Sequence, residues 1–125
     1  MIKQRNLDPA LQKLLGIAEN VSGSLLASAA KGYAADGPAD MEYQKHILGS
    51  GVDLTGVNPK YIGQLIILAC PDSTANATAT CGAGITWDGT NDTVNLVNDN
   101  SAIVAMAISL TRWLVLVNLG TCTFS

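Results

Sequence analysis

The second half of the chain carries almost no charge. In the 125-residue sequence, the part that follows Lys60 contains one basic residue, Arg112. The acidic residues of that part are four aspartates: Asp72, Asp88, Asp92 and Asp99. Soluble domains usually keep about a quarter of their residues charged. A half this poor in charge is expected to contact other protein over much of its surface, which favours a protein that works by assembly.

Turn-forming clusters divide this half into segments of strand length. The segments are rich in Val, Ile, Leu, Thr and Asn, and Asp88-Gly89 is the strongest single turn signal. Their spacing predicts an antiparallel β-sandwich or barrel over residues 61–125. The predicted strands are 62–69, 77–82, 85–87, 93–97, 103–109, 112–118 and 121–124.

Two of the predicted strands are apolar on both faces. Residues 103–108 and 113–117 contain only apolar side chains, whereas a half-exposed antiparallel strand alternates apolar with polar residues. A segment this short cannot easily cover both faces of several strands by itself. We therefore expect neighbouring copies of the chain to cover the second face.

The first half predicts a helix that needs a partner. Asp8-Pro9 is typical of a helix start. The interior glycines Gly16 and Gly23 weaken the helix, because each costs about 1 kcal/mol relative to alanine. The partner is either two further copies of the same helix or a pocket in another protein. Heptad-like spacing of three and four joins Leu11, Leu14, Ala18, Val21, Leu25 and Ser28.

Turn signals divide the remainder of the first half. The segment 32–40, which contains Gly37-Pro38, predicts a loop, and 39–48 predicts a second short helix that ends before Gly49. Residues 51–60 are expected to form an extended linker. The predicted fold class is therefore α+β, with a helical segment over 1–50 and an antiparallel β-domain over 61–125.

Charge and hydropathy disfavour two classes of partner. A net charge of -3 and a pI near 4.7 argue against nucleic-acid binding, which usually requires a basic face. The longest apolar runs, 65–70 and 102–108, are far shorter than the ~20 residues of a membrane-spanning helix. The first twelve residues lack the apolar core of a secretion signal. We expect no nucleic acid, no membrane and no secretion.

No metal or cofactor site is predicted. Cys70, Cys81 and Cys122 are widely spaced without a Cys-x-x-Cys pair, and His46 is the sole histidine, which disfavours zinc. The cysteines are expected to be small buried apolar residues. A disulfide between Cys70 and Cys81 is the alternative.

Catalysis is not predicted either. The aspartates of the second half fall in predicted turns, where turn geometry alone favours them, whereas carboxylate catalysis needs acids on rigid elements. A serine or cysteine nucleophile needs a base, and His46 lies in the other half of the chain. We expect a protein that is not an enzyme.

Short motifs in the second half resemble those of a known class of domain. They are Pro-Lys-Tyr-Ile-Gly-Gln at 59–64, Asp-Thr-Val-Asn-Leu-Val-Asn-Asp at 92–99 and Leu-Thr-Arg-Trp-Leu-Val at 110–115. They resemble small trimeric β-domains of tailed-bacteriophage fibre and head-decoration proteins, in which a Tyr-x-Gly-Gln segment opens the β-region and a Thr-x-Trp hairpin closes it. The resemblance covers about residues 59–125, and Leu110-Thr111 replaces the usual Asp-Gly turn.

This resemblance implies a homotrimer, located on a virion after assembly in the host cytoplasm, with the β-domain projecting outward. The N-terminal segment is expected to bind an acidic and apolar groove of a capsid or connector protein, or to form a trimeric coiled-coil stalk. The expected attachment residues are Ile2, Lys3, Arg5, Leu7 and Leu11. The expected trimer contacts are Leu14, Ala18, Val21, Leu25, Val104, Met106, Leu114 and Leu116.

A receptor- or glycan-binding fibre tip is the alternative function. Trp87, Trp113 and Tyr61 would form an aromatic platform for a sugar ring, with Asn91 and nearby asparagines supplying hydrogen bonds. Aromatic residues of small β-domains more often lie in the core, which we expect for Trp113. Trp87 and Asn91 remain the candidate ligand contacts.

Overall fold

The structure, a computed structural model, describes residues 29–72 and 74–125. These residues form two five-stranded sheets and contain no helix. The strands are β1 (Ala30–Tyr33), β2 (Gly37–Pro38), β3 (Lys45–Leu48), β4 (Asp53–Thr55), β5 (Leu65–Cys70), β6 (Ala77–Thr80), β7 (Thr93–Leu96), β8 (Ser101–Ser109), β9 (Arg112–Leu119) and β10 (Thr123–Phe124).

The first six strands alternate between the two sheets. Sheet 1 has the order β1-β3-β5-β8-β9, and sheet 2 has the order β10-β7-β6-β4-β2. Because the chain visits the other sheet between neighbouring strands, β1-β3-β5 and β2-β4-β6 are parallel. The later pairs are antiparallel. The antiparallel pairing expected over 61–125 is therefore confirmed for β5 to β10. Strands β1 to β4, which were not predicted, add the parallel pairs that make both sheets mixed.

The first half contributes strands where helix and linker were predicted. The predicted helix over 39–48 is wrong, since β3 occupies its end, and the predicted linker over 51–60 contains β4. In β3 the buried His46 and Leu48 alternate with Lys45 and the exposed Ile47. That period of two suits a strand, and pairing with β5 fixes it.

The strands predicted in the second half are largely confirmed. All but one of them coincide with β5 to β10 within a few residues. The exception is 85–87, where only Thr86 forms a bridge, to Arg112. The predicted turn at Asp88-Gly89 is also confirmed, because Gly89 has a φ of 90°, a backbone conformation that favours glycine.

One hydrophobic core lies between the two sheets. Sheet 2 contributes Leu54 and Leu96, and sheet 1 contributes Ile66, Leu68 and Ile103, all fully buried. The three cysteines are free and buried, so the expected apolar role is confirmed and the alternative disulfide between Cys70 and Cys81 is not formed.

The predicted N-terminal helix lies outside the described residues. The same holds for the attachment residues expected there and for the heptad positions expected in the trimer contact. They are Ile2, Lys3, Arg5, Leu7, Leu11, Leu14, Ala18, Val21 and Leu25.

Candidate assembly surface

The outward side chains of sheet 1 are apolar. Along β5, the buried Ile66, Leu68 and Cys70 alternate with half-buried Leu65 and Ile67. Strand β8 repeats this alternation next to β5. Successive side chains of a strand point to opposite faces, so each strand presents one apolar row to the core and another to the outside.

The register of β5, β8 and β9 aligns these outward residues in rows. We name these outward side chains the apolar face. Leu65, Met106 and Leu114 form the first row, Ile67, Val104 and Val117 the second, and Ala69, Ala102 and Leu119 the third. The expected contact residues Val104, Met106 and Leu114 thus lie together on one side of sheet 1, and Leu116, which has no partner in the register with β8, is half exposed. Nothing in the described part of the chain covers this side.

Strand β9 is the most exposed part of the apolar face. Leu114 is 40% exposed, Leu116 50%, Val117 40% and Leu119 57%. Side chains of this size are normally buried, and single exposed ones are common, but a contiguous group marks a contact surface. Val117 and Leu119 lie on the same strand but were not among the predicted contact residues.

Charge is confined to the margin of the apolar face. Strands β5 and β8 contain no charged residue, and the only one in β9 is Arg112 at its start. Arg112 turns towards the Asp88-Gly89 turn, where a guanidinium nitrogen donates to the Asp88 carbonyl oxygen at 3.4 Å. On the opposite side, Lys45 of β3 lies beside Ile67. A partner surface here would meet no charge in the centre.

The outward side of sheet 2 has the opposite chemistry. Asp53, Thr78, Asn95 and Thr123 form one row across four strands. The Thr78 hydroxyl donates to the Asp53 carboxylate at 2.8 Å, and the Asn95 amide donates to the Thr123 carbonyl oxygen at 3.3 Å. We name this side the polar face. Water can satisfy it, so the domain separates a hydrated surface from an apolar one.

Trp87 is not available to a ligand. Its side chain is fully buried, its ring nitrogen donates to the Ala79 carbonyl oxygen at 3.2 Å, and its ring stacks on that of Trp113. The proposed aromatic platform is therefore wrong for Trp87, and the core position expected for Trp113 is confirmed. Large apolar area favours burial of an indole once its N–H finds an acceptor.

Asn91 belongs to the turn that follows Trp87. Its side-chain amide donates to Asp88 Oδ2 at 2.8 Å, and its backbone N–H donates to Asp88 Oδ1 at 2.7 Å. These bonds, with that from the Thr90 N–H, hold the pKa of Asp88 below its ordinary value. Asn91 and Asp88 thus stabilise a turn, as aspartate does in many turns.

The sole histidine lies at the edge of the core, and its hydrogen-bond partners include no serine or cysteine. His46 is fully buried. Its Nδ1 is 2.7 Å from the Tyr33 hydroxyl and its Nε2 is 2.9 Å from the Tyr43 carbonyl oxygen. Burial lowers the pKa of His46. The geometry fits a neutral ring that donates from Nε2 and accepts from Tyr33.

Among residues 29–72 and 74–125, no group of three or more His, Cys, Asp or Glu side chains is placed to hold a metal ion. The described residues include no helix long and apolar enough to cross a membrane. No protein-family model matches the chain, and no curated protein matches it significantly.

Proposed function

We propose that the chain is a structural protein of a virion surface, a homotrimeric head fibre or capsid decoration protein. One observation carries the assembly role: the described residues of a single copy leave the apolar face uncovered, with no charge in its centre. Removal of apolar surface from water stabilises an assembly by about 25 cal/mol per Å². A patch of this kind is typical of a protein-protein contact.

The composition of the strands supports the same role. Strands that are apolar on both sides usually have both faces covered. Here β5 is apolar on both sides, as is β8 from Ala102 to Ile108, while the core covers only one side of sheet 1. Contact with other copies would cover the second side and leave the polar face in water.

The local structure around one motif supports the bacteriophage proposal. Leu110 and Thr111 form the connection between β8 and β9, where Ser109 pairs with Arg112. The Thr-x-Trp motif therefore lies in a hairpin, as it does in the resembled domains. Tyr61 and Gly63 lie in the turn that leads into β5, but four strands precede this turn, so the Tyr-x-Gly-Gln motif does not open the β-region here.

The described acidic residues support a role without catalysis. Asp88 and Asp72 accept hydrogen bonds from the backbone of their own turns. The Thr74 hydroxyl, together with the Thr74 backbone N–H, lowers the pKa of Asp72 by donating to its carboxylate. Carboxylates used in this way fix local backbone geometry. The proposed mechanism is therefore interfacial: the N-terminal segment binds the particle, and the β-domain projects from it.

Two measurements test the proposal. Mass determination in solution should give three times the chain mass at micromolar concentration, and a stable monomer would overturn the trimer. Mass spectrometry of purified virions should detect the chain, and its absence from them would overturn the virion role.

A variant that lacks residues 1–15 separates the two roles of the N-terminal segment. If these residues attach the chain to the capsid, the variant remains a trimer and no longer joins particles. Loss of the trimer would instead favour a coiled-coil stalk.

A further inference from the structure

Among the described residues, strand β9 has a partly unpaired edge and an uncovered face. It is the last strand in the order of sheet 1. In the described part of the chain, its far edge pairs only with Thr86, which accepts from the Trp113 N–H at 2.9 Å. An exposed apolar edge strand is normally shortened, charged, bulged or covered, because it can pair with another chain. The segment from Leu114 to Leu119 contains a bulge but no charged residue, and no described strand covers its edge.

A bulge increases the apolar character of this strand. Val104 pairs with Val117 and Ala105 pairs with Val115, so Leu116 is the extra residue. Strict alternation from Leu114 would turn Asn118 outward and Val117 and Leu119 inward. The bulge reverses this order after Leu116, as bulges commonly redirect side chains.

The bulge places Asn118 on one side of the sheet and Val117 and Leu119 on the other. Asn118 now lies on the side of Ile103, where its side chain accepts from the Cys122 N–H at 2.8 Å and donates to the Cys122 carbonyl oxygen at 2.9 Å. Val117 and Leu119 join the outward rows. The irregularity therefore moves an amide off the apolar face and adds two large apolar side chains to it.

We propose that β9 forms the centre of the contact between copies of this chain, with Leu114, Leu116, Val117 and Leu119 buried against a second copy. This inference rests on the proposed function and adds the position of the contact. The apolar side chains are most exposed on β9, whereas the outward positions of β1 are Ala30 and Gly32. The contact is therefore centred on β9, and the apolar side-chain area that it can bury decreases towards β1.

The lack of charge around β9 restricts which surface can cover it. A partner that covers β9 must present an uncharged apolar surface, because burial of an unpaired charge is costly. The apolar face of a second copy meets this condition, and the polar face with Asp53 does not. In a cyclic trimer, a strand that lies at the threefold axis meets its own equivalents from the other two copies, so β9 of one chain is covered by β9 of its neighbours.

The position of the heptad pattern favours the same occupant. That pattern ends at Ser28, and β1 begins at Ala30. Chains joined through the heptad positions would hold their β-domains at high effective concentration, so that a modest contact at β9 suffices.

Charge substitutions provide the first test. Leu116→Lys and Leu119→Lys change exposed side chains and should leave the fold intact, as checked by circular dichroism. We expect both variants to weaken self-association at least tenfold, as measured by analytical ultracentrifugation. The matched control is Thr55→Lys, an exposed position on the polar face, which should associate like the parent chain.

Thiol labelling provides a second test that does not require the contact between copies to be disrupted. The native cysteines are buried, so a cysteine introduced at an exposed position is expected to be the reactive one. In the assembled protein, Leu116→Cys should react with maleimide much more slowly than Thr55→Cys. Equal labelling rates would overturn the proposed contact.

The outcomes distinguish this inference from the proposed function. A parent trimer that survives both lysine substitutions would overturn the β9 contact and leave the virion role standing. A parent monomer would overturn the contact and the trimer together. Loss of association in the β9 variants alone, with slow labelling at position 116, supports the inference.

Discussion

The indole rings of Trp87 and Trp113 stack in the core, with ring centroids 5.7 Å apart and planes inclined by 22°. Both side chains are fully buried. The Trp113 ring nitrogen donates to the Val57 carbonyl oxygen at 3.0 Å, while that of Trp87 donates to Ala79 in sheet 2. The pair therefore links β9, the segment after β4 and sheet 2 through one contact.

Truncation of this pair should destabilise the domain strongly. Trp113→Ala removes a fully buried ring and should lower the free energy of unfolding by about 3–5 kcal/mol, the usual cost of such a cavity. Trp113→Phe should cost less, because it retains a ring and mainly leaves the Val57 carbonyl oxygen without its donor. Urea unfolding at constant protein concentration measures both values. Equal stability of the alanine variant and the parent would contradict the packing described here.

His46 should make stability depend on pH. Burial lowers its pKa in the folded chain, so the unfolded chain binds the proton more readily. The contribution of the neutral ring is fully present above the ordinary histidine pKa of about 6.5 and is lost as the pH falls towards the lowered value. The urea concentration at the midpoint of unfolding should therefore decrease as the pH falls from 8 to 5.

A His46→Gln variant serves as the control for this pH dependence. It lacks the titrating ring, so the decrease between pH 8 and pH 5 should be smaller than in the parent chain. The same slope in both proteins would assign the effect to another group.

The native thiols should be unreactive. Burial raises the pKa of Cys81 to about 12 and also raises that of Cys122, and the thiolate is the reactive form. We expect Ellman's reagent at pH 8 to label the folded protein slowly. All three cysteines should react promptly in denaturant. Fast labelling of the folded chain would show that the core opens readily.

Gly120 should not tolerate a side chain. Its φ is 77°, and an added Cβ would lie 2.8 Å from Ser101 Oγ. Gly120→Ala is expected to lower the free energy of unfolding by at least about 1–2 kcal/mol, the cost of this backbone region for a residue with a Cβ. The control is Gly32→Ala, since no atom lies within 4 Å of its added Cβ. Thermal unfolding of both variants tests the difference.

The sequence predicted the strands of the second half because their signals are local. Residues 103–108 form a continuous apolar run, and Asp88-Gly89 marks a tight turn. Strands β1 to β4 were missed, although β6, β7 and β10 are no longer than these, because these four strands pair only with parallel neighbours. Between two paired strands the chain passes through the other sheet. A short sequence window therefore does not contain both partners, and the pairing cannot be predicted from it.

The apolar face was foreseen only in part. The apolar runs identified Leu114 and Leu116, but alternation alone assigns the wrong side to Val117 and Leu119. Only the pairing of β8 with β9 reveals the bulge. Trp87 was left open because a turn follows it, and its burial depends on an acceptor in β6, which sequence spacing does not identify.

The alternation of the first six strands between sheets has a consequence for cooperativity. Any cut between β2 and β6 separates paired strands in both sheets at once, so neither sheet can persist as an independent module. Folding must close long excursions before the parallel pairs can form, which is typically slow. The two sheets should therefore unfold in one transition, and a single proteolytic cleavage in this region should unfold the whole domain.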